Sequence, residues 1–122
     1  MSGMIVGFKK AAPARRGASR AICLVAESTV AGTRHVAGVS DLACSYQPGE
    51  RFVFERDRDN LYDAWAVRVL DGRRNRLGFV SCECNEVVAR LMDGGKHVFG
   101  VFEGVEQVEN WTRIEMGVYL DD

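Results

Sequence analysis

The residues best suited to chemistry lie close together in one polar segment, residues 56–63. Its eight positions hold two arginines, three aspartates, one asparagine and one tyrosine. The ring of Tyr62 offers a face on which a nucleic-acid base can stack, an interaction worth roughly 1–3 kcal/mol per base. The carboxylate of Asp63 can accept a hydrogen bond from a sugar hydroxyl, and the amide of Asn60 can donate or accept one. The segment is too polar to serve packing alone, so it is the best candidate for a site.

The carboxylates of this segment raise the alternative of a metal site. The run Asp57-x-Asp59-Asn60 begins like the calcium-binding loop of an EF-hand, which needs a glycine at its sixth position and a glutamate at its twelfth. Those positions hold Tyr62 and Arg68 here. A two-metal nuclease would need a lysine or histidine beside its carboxylates, and none lies nearby in the sequence. The pattern therefore argues against a metal ion at this segment.

The four cysteines do not form a zinc motif either. Cys82 and Cys84 are separated by one residue, whereas zinc-binding pairs are usually separated by two to four. We interpret them, together with Cys23 and Cys44, as reduced thiols that lie partly buried in strands and near a helix start. No nucleophile, base and orienting group can be assembled from the sequence. We therefore expect neither a cofactor nor an enzymatic activity.

A purely structural role for the segment is a further alternative. Asp57, Asp59 and Asn60 could hydrogen-bond backbone amides in Asx turns, and Arg56 could pair with Asp63. We expect Asp59 and Asn60 to set the shape of the loop, whatever else the loop does.

Two runs that alternate between apolar and polar residues flank the segment, and this period of two is typical of strands. Turns are predicted where Pro48-Gly49 precedes the first run and Asp71-Gly72 follows the second. A helix is predicted over residues 83–92, ended by Asp93-Gly94-Gly95. Many short strands with one helix indicate a β-barrel rather than a βαβ fold. The predicted strands are residues 21–26, 35–39, 52–55, 65–70, 76–81, 97–105 and 111–120.

Length and charge bound the organisation of the chain. At 122 residues it is expected to form one domain, residues 20–122, preceded by a basic arm, residues 1–19. Residues 1–20 carry five basic and no acidic side chains, so with a net charge of −1 the remainder carries −6. This balance excludes a globally basic nucleic-acid binder. No apolar run approaches the roughly 20 residues of a membrane span, and no signal peptide is found, so we expect a cytoplasmic protein without a membrane partner.

A longer pattern carries a resemblance to a known family. The run Arg56-Asp57-x-Asp59-Asn60-x-Tyr62-Asp63-x-x-Ala66-Val67-x-Val69, followed by Arg76-Leu77-Gly78-Phe79-Val80 and a helix, resembles the HIRAN domain family. The resemblance covers residues 34–120. It implies a mainly β fold, a small OB-like β-barrel of about six strands with one helix after the fourth or fifth strand. It also implies that Asn60, Tyr62 and Asp63 form a pocket for a terminal nucleotide and its 3′-hydroxyl.

Four positions depart from the pattern of the DNA-binding members. Ser40 and Asp41 stand where those members have an arginine and a second stacking tyrosine. Phe79 and Cys82 stand where they have a phosphate-binding histidine and lysine. Fewer cations release fewer counterions from the phosphates, so the resemblance implies weaker binding through this half of the pocket. We expect nearby arginines to supply charge from another direction, and Phe79 to replace some of the lost stacking.

The resemblance leads to two interpretations. In the first, the chain is a non-catalytic module that binds single-stranded nucleic acid, expected to be DNA ends with a 3′-hydroxyl, in DNA repair or replication-fork processing beside a helicase, ATPase or nuclease. In the second, it is a protein-interaction or scaffold domain that keeps the loop for folding and has lost the DNA-end pocket. The residues expected to contact nucleic acid in the first interpretation are Asn60, Tyr62, Asp63, Arg56, Arg58, Phe79, Ser40, Asp41 and Cys82.

Overall fold

The computed structural model describes residues 21–121, which form a mainly β fold with two α-helices. The basic arm predicted for residues 1–19 lies outside the described residues. The helices are α1 (Val39–Cys44) and α2 (Asn85–Asp93), and a short 3-10 turn spans Thr33–His35. The strands are β1 (Ala21–Thr29), β2 (Arg51–Arg56), β3 (Val67–Leu70), β4 (Arg76–Phe79), β5 (His97–Val108) and β6 (Trp111–Asp121).

The six strands form one antiparallel sheet in the order β1-β6-β5-β2-β3-β4. Strands β1 and β4 are therefore its edges. The chain just beyond β1 reaches the other edge at one bridge, where Ala31 and Phe79 exchange two backbone hydrogen bonds of 2.8 Å. The expected closed barrel is not observed, because among the described residues the sheet is open apart from this bridge.

The core lies on one face of the sheet and is covered by the helices. Along β2, Phe52 and Phe54 are buried while Arg51 and Val53 are exposed, which is the alternation that the sequence predicts. Burial of each such large apolar side chain stabilises the fold by roughly 1.5–3 kcal/mol. Helix α2 contributes Val88 and Ala89 to the same cluster, and α1 contributes Val39 and Ala43. Other residues buried in this cluster are Val67, Val69, Leu77, Ile114, Met116 and Val118.

The strand predicted for residues 35–39 is wrong. Gly32 and Gly38 both have a φ of +77°, a left-handed conformation that glycine adopts readily and that ends an extended run. Gly32 leads into the 3-10 turn and Gly38 precedes α1, so Val36 between them is the extended residue that remains. The fold consequently has two α-helices, where one was expected.

The other predicted elements are confirmed with shifted ends. Strands β5 and β6 form a hairpin that turns at residues 109–110 and is longer than predicted. Helix α2 begins two residues later than predicted and ends at the expected glycines, where Gly95 has a φ of +91°. Within residues 21–121, none of the helices combines the length and the apolar character needed to cross a membrane.

Candidate functional site

The polar segment 56–63 leads from the end of β2 into the connection to β3, and its own side chains set its shape. The Oδ1 atom of Asn60 accepts hydrogen bonds from the backbone N–H of Tyr62 at 2.8 Å and of Asp63 at 2.9 Å. The Nδ2 atom of Asn60 donates to Asp57 at 3.2 Å, and Asp57 pairs with Arg68 of β3 at 2.9 Å. Asn60 therefore shapes the loop, as expected, and most of its hydrogen-bonding capacity is already used.

Asp63 fastens the loop to helix α2. Its Oδ1 atom accepts a hydrogen bond from the backbone N–H of Trp65 at 2.9 Å. Its Oδ2 atom accepts one from Nδ2 of Asn85, the buried first residue of α2, at 2.8 Å. An ionised carboxylate has about four lone-pair sites. Asp63 can therefore still accept a hydrogen bond from a ligand hydroxyl.

The two arginines of the segment differ in their availability. The side chain of Arg56 is 10% exposed, donates to the carbonyl oxygen of Ala66 at 2.8 Å and pairs with Asp93 at 3.0 Å. The hydrogen bonds from Arg56 hold the pKa of Asp93 below its usual range. The alternative in which Arg56 pairs with Asp63 is wrong, since Arg56 pairs with Asp93. Arg58 also contacts Asp93, at 3.0 Å, but its side chain is 64% exposed and can reach a ligand.

Tyr62 stands at the surface of this fastened loop. It is 97% exposed, and its neighbour Leu61 is 91% exposed. The hydrogen bond from the backbone N–H of Tyr62 to Asn60 fixes the main chain beneath the ring. Asp59, which was expected to shape the loop, is exposed and makes no hydrogen bond or ion pair within residues 21–121. The loop thus presents an accessible aromatic ring on a fixed backbone.

Phe79 and Cys82 lie beside the start of α2. Phe79 is half-buried at the end of β4, and the guanidinium carbon of Arg76 lies 4.9 Å from the centroid of its ring. Cys82 is exposed in the turn that precedes α2. Burial raises the pKa of the nearby Cys84 thiol, and all four cysteines are free.

Ser40 and Asp41 lie elsewhere, at the wall of a polar cleft of about 360 Å³. The cleft is bounded by residues 33–41 and by the tip of the β5–β6 hairpin, residues 107–112. The Oγ atom of Ser40 donates to Oε1 of Gln107 at 3.3 Å, and Oγ1 of Thr112 donates to the same oxygen at 2.7 Å. The volume lies at the small end of the roughly 300–1,000 Å³ typical of ligand pockets.

The loop and the cleft are connected through the edge of the sheet. No hydrogen bond or ion pair joins them directly within the described residues. Phe79 is bonded to Ala31, which lies two residues before Thr33 of the cleft wall. Beyond Phe79 the chain leads through the turn to Asn85, the partner of Asp63. The predicted site residues therefore fall into two groups, one at the loop and the start of α2 and one at the cleft.

The cleft is also lined by Arg34, Gln107 and Thr112, which no residue type or motif in the sequence had singled out. No pattern in the sequence indicates that the hairpin tip lies against residues 33–41. The helical turns that replace the predicted strand place Arg34 and Ser40 at the same cleft. The glycines at positions 32 and 38 permit these turns but do not predict them. Among residues 21–121, no three histidine, cysteine, aspartate or glutamate side chains are grouped so that they could hold a metal ion.

The fold and the fixed loop define a small antiparallel β module with an exposed aromatic residue beside a carboxylate. The family model for the HIRAN domain matches residues 24–121, most of the chain. The chain therefore belongs to the HIRAN domain family, and the resemblance drawn from the sequence is confirmed. No curated protein matches the chain.

Solved structures share the fold. A crystal structure of a protein from Lactobacillus plantarum is 24% identical, with a TM-score of 0.75, and the match covers 85% of this chain and 98% of that one. The crystal structure of the HIRAN domain of human HLTF is 22% identical, with a TM-score of 0.62, over 82% of this chain and 78% of that one. The NMR structure of the HLTF HIRAN domain is 20% identical, with a TM-score of 0.50, over 84% and 77%.

Proposed function

We propose that this chain is a non-catalytic module that binds single-stranded nucleic acid, and that its ligand is the 3′-hydroxyl end of single-stranded DNA. The observation that carries the proposal is Tyr62, which is 97% exposed on a loop fixed by internal hydrogen bonds. A ring on a fixed backbone can stack on a base with little further loss of conformational freedom. Membership of the HIRAN family supports the same ligand class, because the resemblance implies nucleic-acid binding.

The preference for an unphosphorylated end follows from Asp63. Its carboxylate lies next to Tyr62 in the chain and retains free lone pairs beside its bonds to Trp65 and Asn85. A carboxylate attracts a hydroxyl group and repels a phosphate. Arg58, exposed on the same loop, is the cation closest in sequence for a backbone phosphate. The module would act in DNA repair or replication-fork processing, beside a helicase, ATPase or nuclease.

The test is the affinity of the full chain for a 5′-labelled single strand, measured by fluorescence anisotropy. Tyr62→Ala should weaken binding roughly 5- to 150-fold, because one stacked base is worth roughly 1–3 kcal/mol. A 3′-phosphate on the strand should also weaken binding, because Asp63 would then face an anion. Leu61→Ala is the matched control, since Leu61 is the equally exposed neighbour and offers no aromatic face.

Two results would contradict the proposal. Equal losses for Tyr62→Ala and Leu61→Ala would show that the ring has no special role. Equal affinities for strands ending in a hydroxyl and in a phosphate would remove the recognition of the 3′ end, while leaving strand binding in place.

The second candidate is a protein-interaction or scaffold domain that keeps the loop for folding. It is favoured by the hydrogen bonds that Asn60 and Asp63 already make inside the fold. The exposure of Tyr62 argues only against a role in folding alone, since folding does not require an exposed ring. This candidate predicts that the chain binds neither a strand with a 3′-hydroxyl nor one with a 3′-phosphate. It also predicts that Asn60→Ala lowers the melting temperature while Tyr62→Ala does not.

A further inference from the structure

The polar cleft is lined by an arginine, Arg34, that has no partner among the described residues. Arg34 is exposed and makes no hydrogen bond or ion pair through its side chain within residues 21–121. The arginines near the loop differ in this respect, since Arg56 and Arg58 both contact Asp93 and Arg68 contacts Asp57. An unpaired guanidinium at the wall of a cleft is free to donate up to five hydrogen bonds to an anion.

The rest of the cleft does not suit an anion. Among the described residues that line it, Asp41 and Glu109 carry carboxylates and Arg34 carries the positive charge. The other polar groups there are hydroxyls and amides, such as those of Ser40 and Gln107. These groups can hydrogen-bond the neutral sugar and base of a nucleotide. A phosphate would be held only at Arg34, with the neutral parts of the ligand towards the other wall.

We propose that Arg34 contacts a backbone phosphate of the strand whose end lies at Tyr62, and that the cleft holds an adjoining sugar and base. This inference rests on the proposed function and names a second contact point for the same ligand. Phe79 connects the two regions, because it is bonded to Ala31 near the cleft and pairs with Arg68, whose side chain contacts Asp57 of the loop. Arg34 thereby supplies a positive charge for a phosphate, which neither Ser40 nor Asp41 carries.

The test is a salt titration of strand binding by the full chain. For single strands, the logarithm of the affinity falls with the logarithm of the salt concentration, with a slope of about −0.7 per phosphate neutralised. Arg34→Gln should make this slope less steep by about 0.7 and weaken binding roughly tenfold at low salt, as expected for one charge-assisted hydrogen bond. Asp41→Asn should strengthen binding, because it removes a carboxylate from the cleft that Arg34 lines.

Arg73→Gln is the matched control. Arg73 is exposed, has no side-chain partner among the described residues, and lies in the β3–β4 turn, at the opposite end of that hairpin from Phe79. The Arg73→Gln substitution changes the net charge by the same amount as Arg34→Gln. If the dependence of affinity on salt becomes less steep for Arg34→Gln but not for Arg73→Gln, the inference is supported. Equal changes in both variants would show a general effect of charge and would overturn it.

The inference and the proposed function fail in different ways. If the wild-type chain binds a single strand and Tyr62→Ala weakens it while Arg34→Gln does not, the contact at Arg34 is wrong and the proposed function stands. If the wild-type chain binds no single strand at all, both are wrong.

Discussion

At the scale of single residues, the loop separates side chains that hold its shape from side chains that face solvent. Asn60 and Arg56 bind the backbone of the loop and of the segment that follows it. Tyr62 and Arg58 face outward. Asp63 belongs to both groups, because its two bonds inside the fold leave lone pairs for a ligand. A loss of binding on replacing Asp63 would therefore be ambiguous, and Tyr62 gives the cleaner test.

We expect Asp71, a buried carboxylate away from the site, to contribute to the stability of the fold. Asp71 is 2% exposed and accepts a hydrogen bond from the hydroxyl of Tyr46 at 2.6 Å, with three more from Arg73 and Asn75. Tyr46→Phe should lower the free energy of unfolding by about 1.5–3 kcal/mol, because it removes a hydrogen bond to a charged group. Tyr62→Phe makes the same chemical change at an exposed ring and should leave stability within about 0.5 kcal/mol. Chemical denaturation of both variants checks this.

The hydrogen bond between Tyr46 and Asp71 also predicts that stability depends on acidic pH. Burial alone would raise the pKa of Asp71, but the hydrogen bonds from Tyr46, Asn75 and Arg73 outweigh it and hold that pKa below its usual value. A carboxyl group whose pKa is lower in the folded state stabilises the fold above its unfolded pKa. That stability is lost as the pH falls through the folded pKa. Tyr46→Phe should therefore reduce the loss of stability in acid, and an unchanged acid titration would contradict this assignment.

The residues of the loop were accessible to sequence reasoning, and those of the cleft were not. The loop is one continuous polar segment, so residue type and order were enough to single out Tyr62 and Asp63. The cleft joins Arg34 to the hairpin tip at residues 107–112, which are more than seventy positions apart. Contacts of this kind depend on the path of the backbone, which residue types alone do not specify.

At the scale of elements, β5 carries a bulge. Its register on β6 shifts between Phe102 and Gly104, so Glu103 has no partner residue on β6. The carboxylate of Glu103 lies close to Gly117, where a Cβ atom would be 3.0 Å from it. Desolvation, together with the carboxylates of Glu27 and Glu115, raises the pKa of Glu103 to about 7. The bulge thus places a weakly acidic carboxyl group among three neighbouring strands.

This bulge predicts that stability falls from weakly acid to neutral pH. A carboxyl group whose pKa is higher in the folded state contributes stability that is complete below its unfolded pKa, about 4.5. That contribution is lost progressively as the pH rises from about 4.5 to about 7, the folded pKa. Glu103→Gln should leave the melting temperature at pH 4 nearly unchanged and raise it at pH 8, because glutamine resembles the protonated carboxyl group. Equal shifts at both values would show that repulsion by ionised Glu103 is not the cause.

Strands and helices were predicted correctly where apolar and polar residues alternate or where a strong turn motif ends the element. Strand β2 alternates cleanly, and the Asp71-Gly72 turn and the glycines after α2 end their elements as predicted. The strand predicted for residues 35–39 was wrong because the backbone at Gly32 and Gly38 turns the chain. Glycine permits both outcomes, so the sequence alone did not decide between them.

At the scale of the whole molecule, charge limits how the module can bind. The residues after position 20 carry a net charge of −6, so no general positive field draws a strand towards them. Binding would depend on single cations placed at the ligand, such as Arg34 and Arg58. The placing of Arg34 depends in turn on the bridge that joins the cleft side of the molecule to β4.

That bridge depends on a glycine. Gly78 has a φ of +154°, and a Cβ atom there would lie 2.2 Å from the carbonyl oxygen of Ala31 and 3.0 Å from Cγ1 of Val30. Gly78→Ala should force Ala31 away from Phe79, break both bridging hydrogen bonds and lower the free energy of unfolding by at least about 1–3 kcal/mol. Gly72→Ala is the matched control, since open space surrounds it. Denaturation and amide exchange measure the effect, and protection of the Ala31 and Phe79 amides that matches the wild type would show that the sheet edges are not held together here.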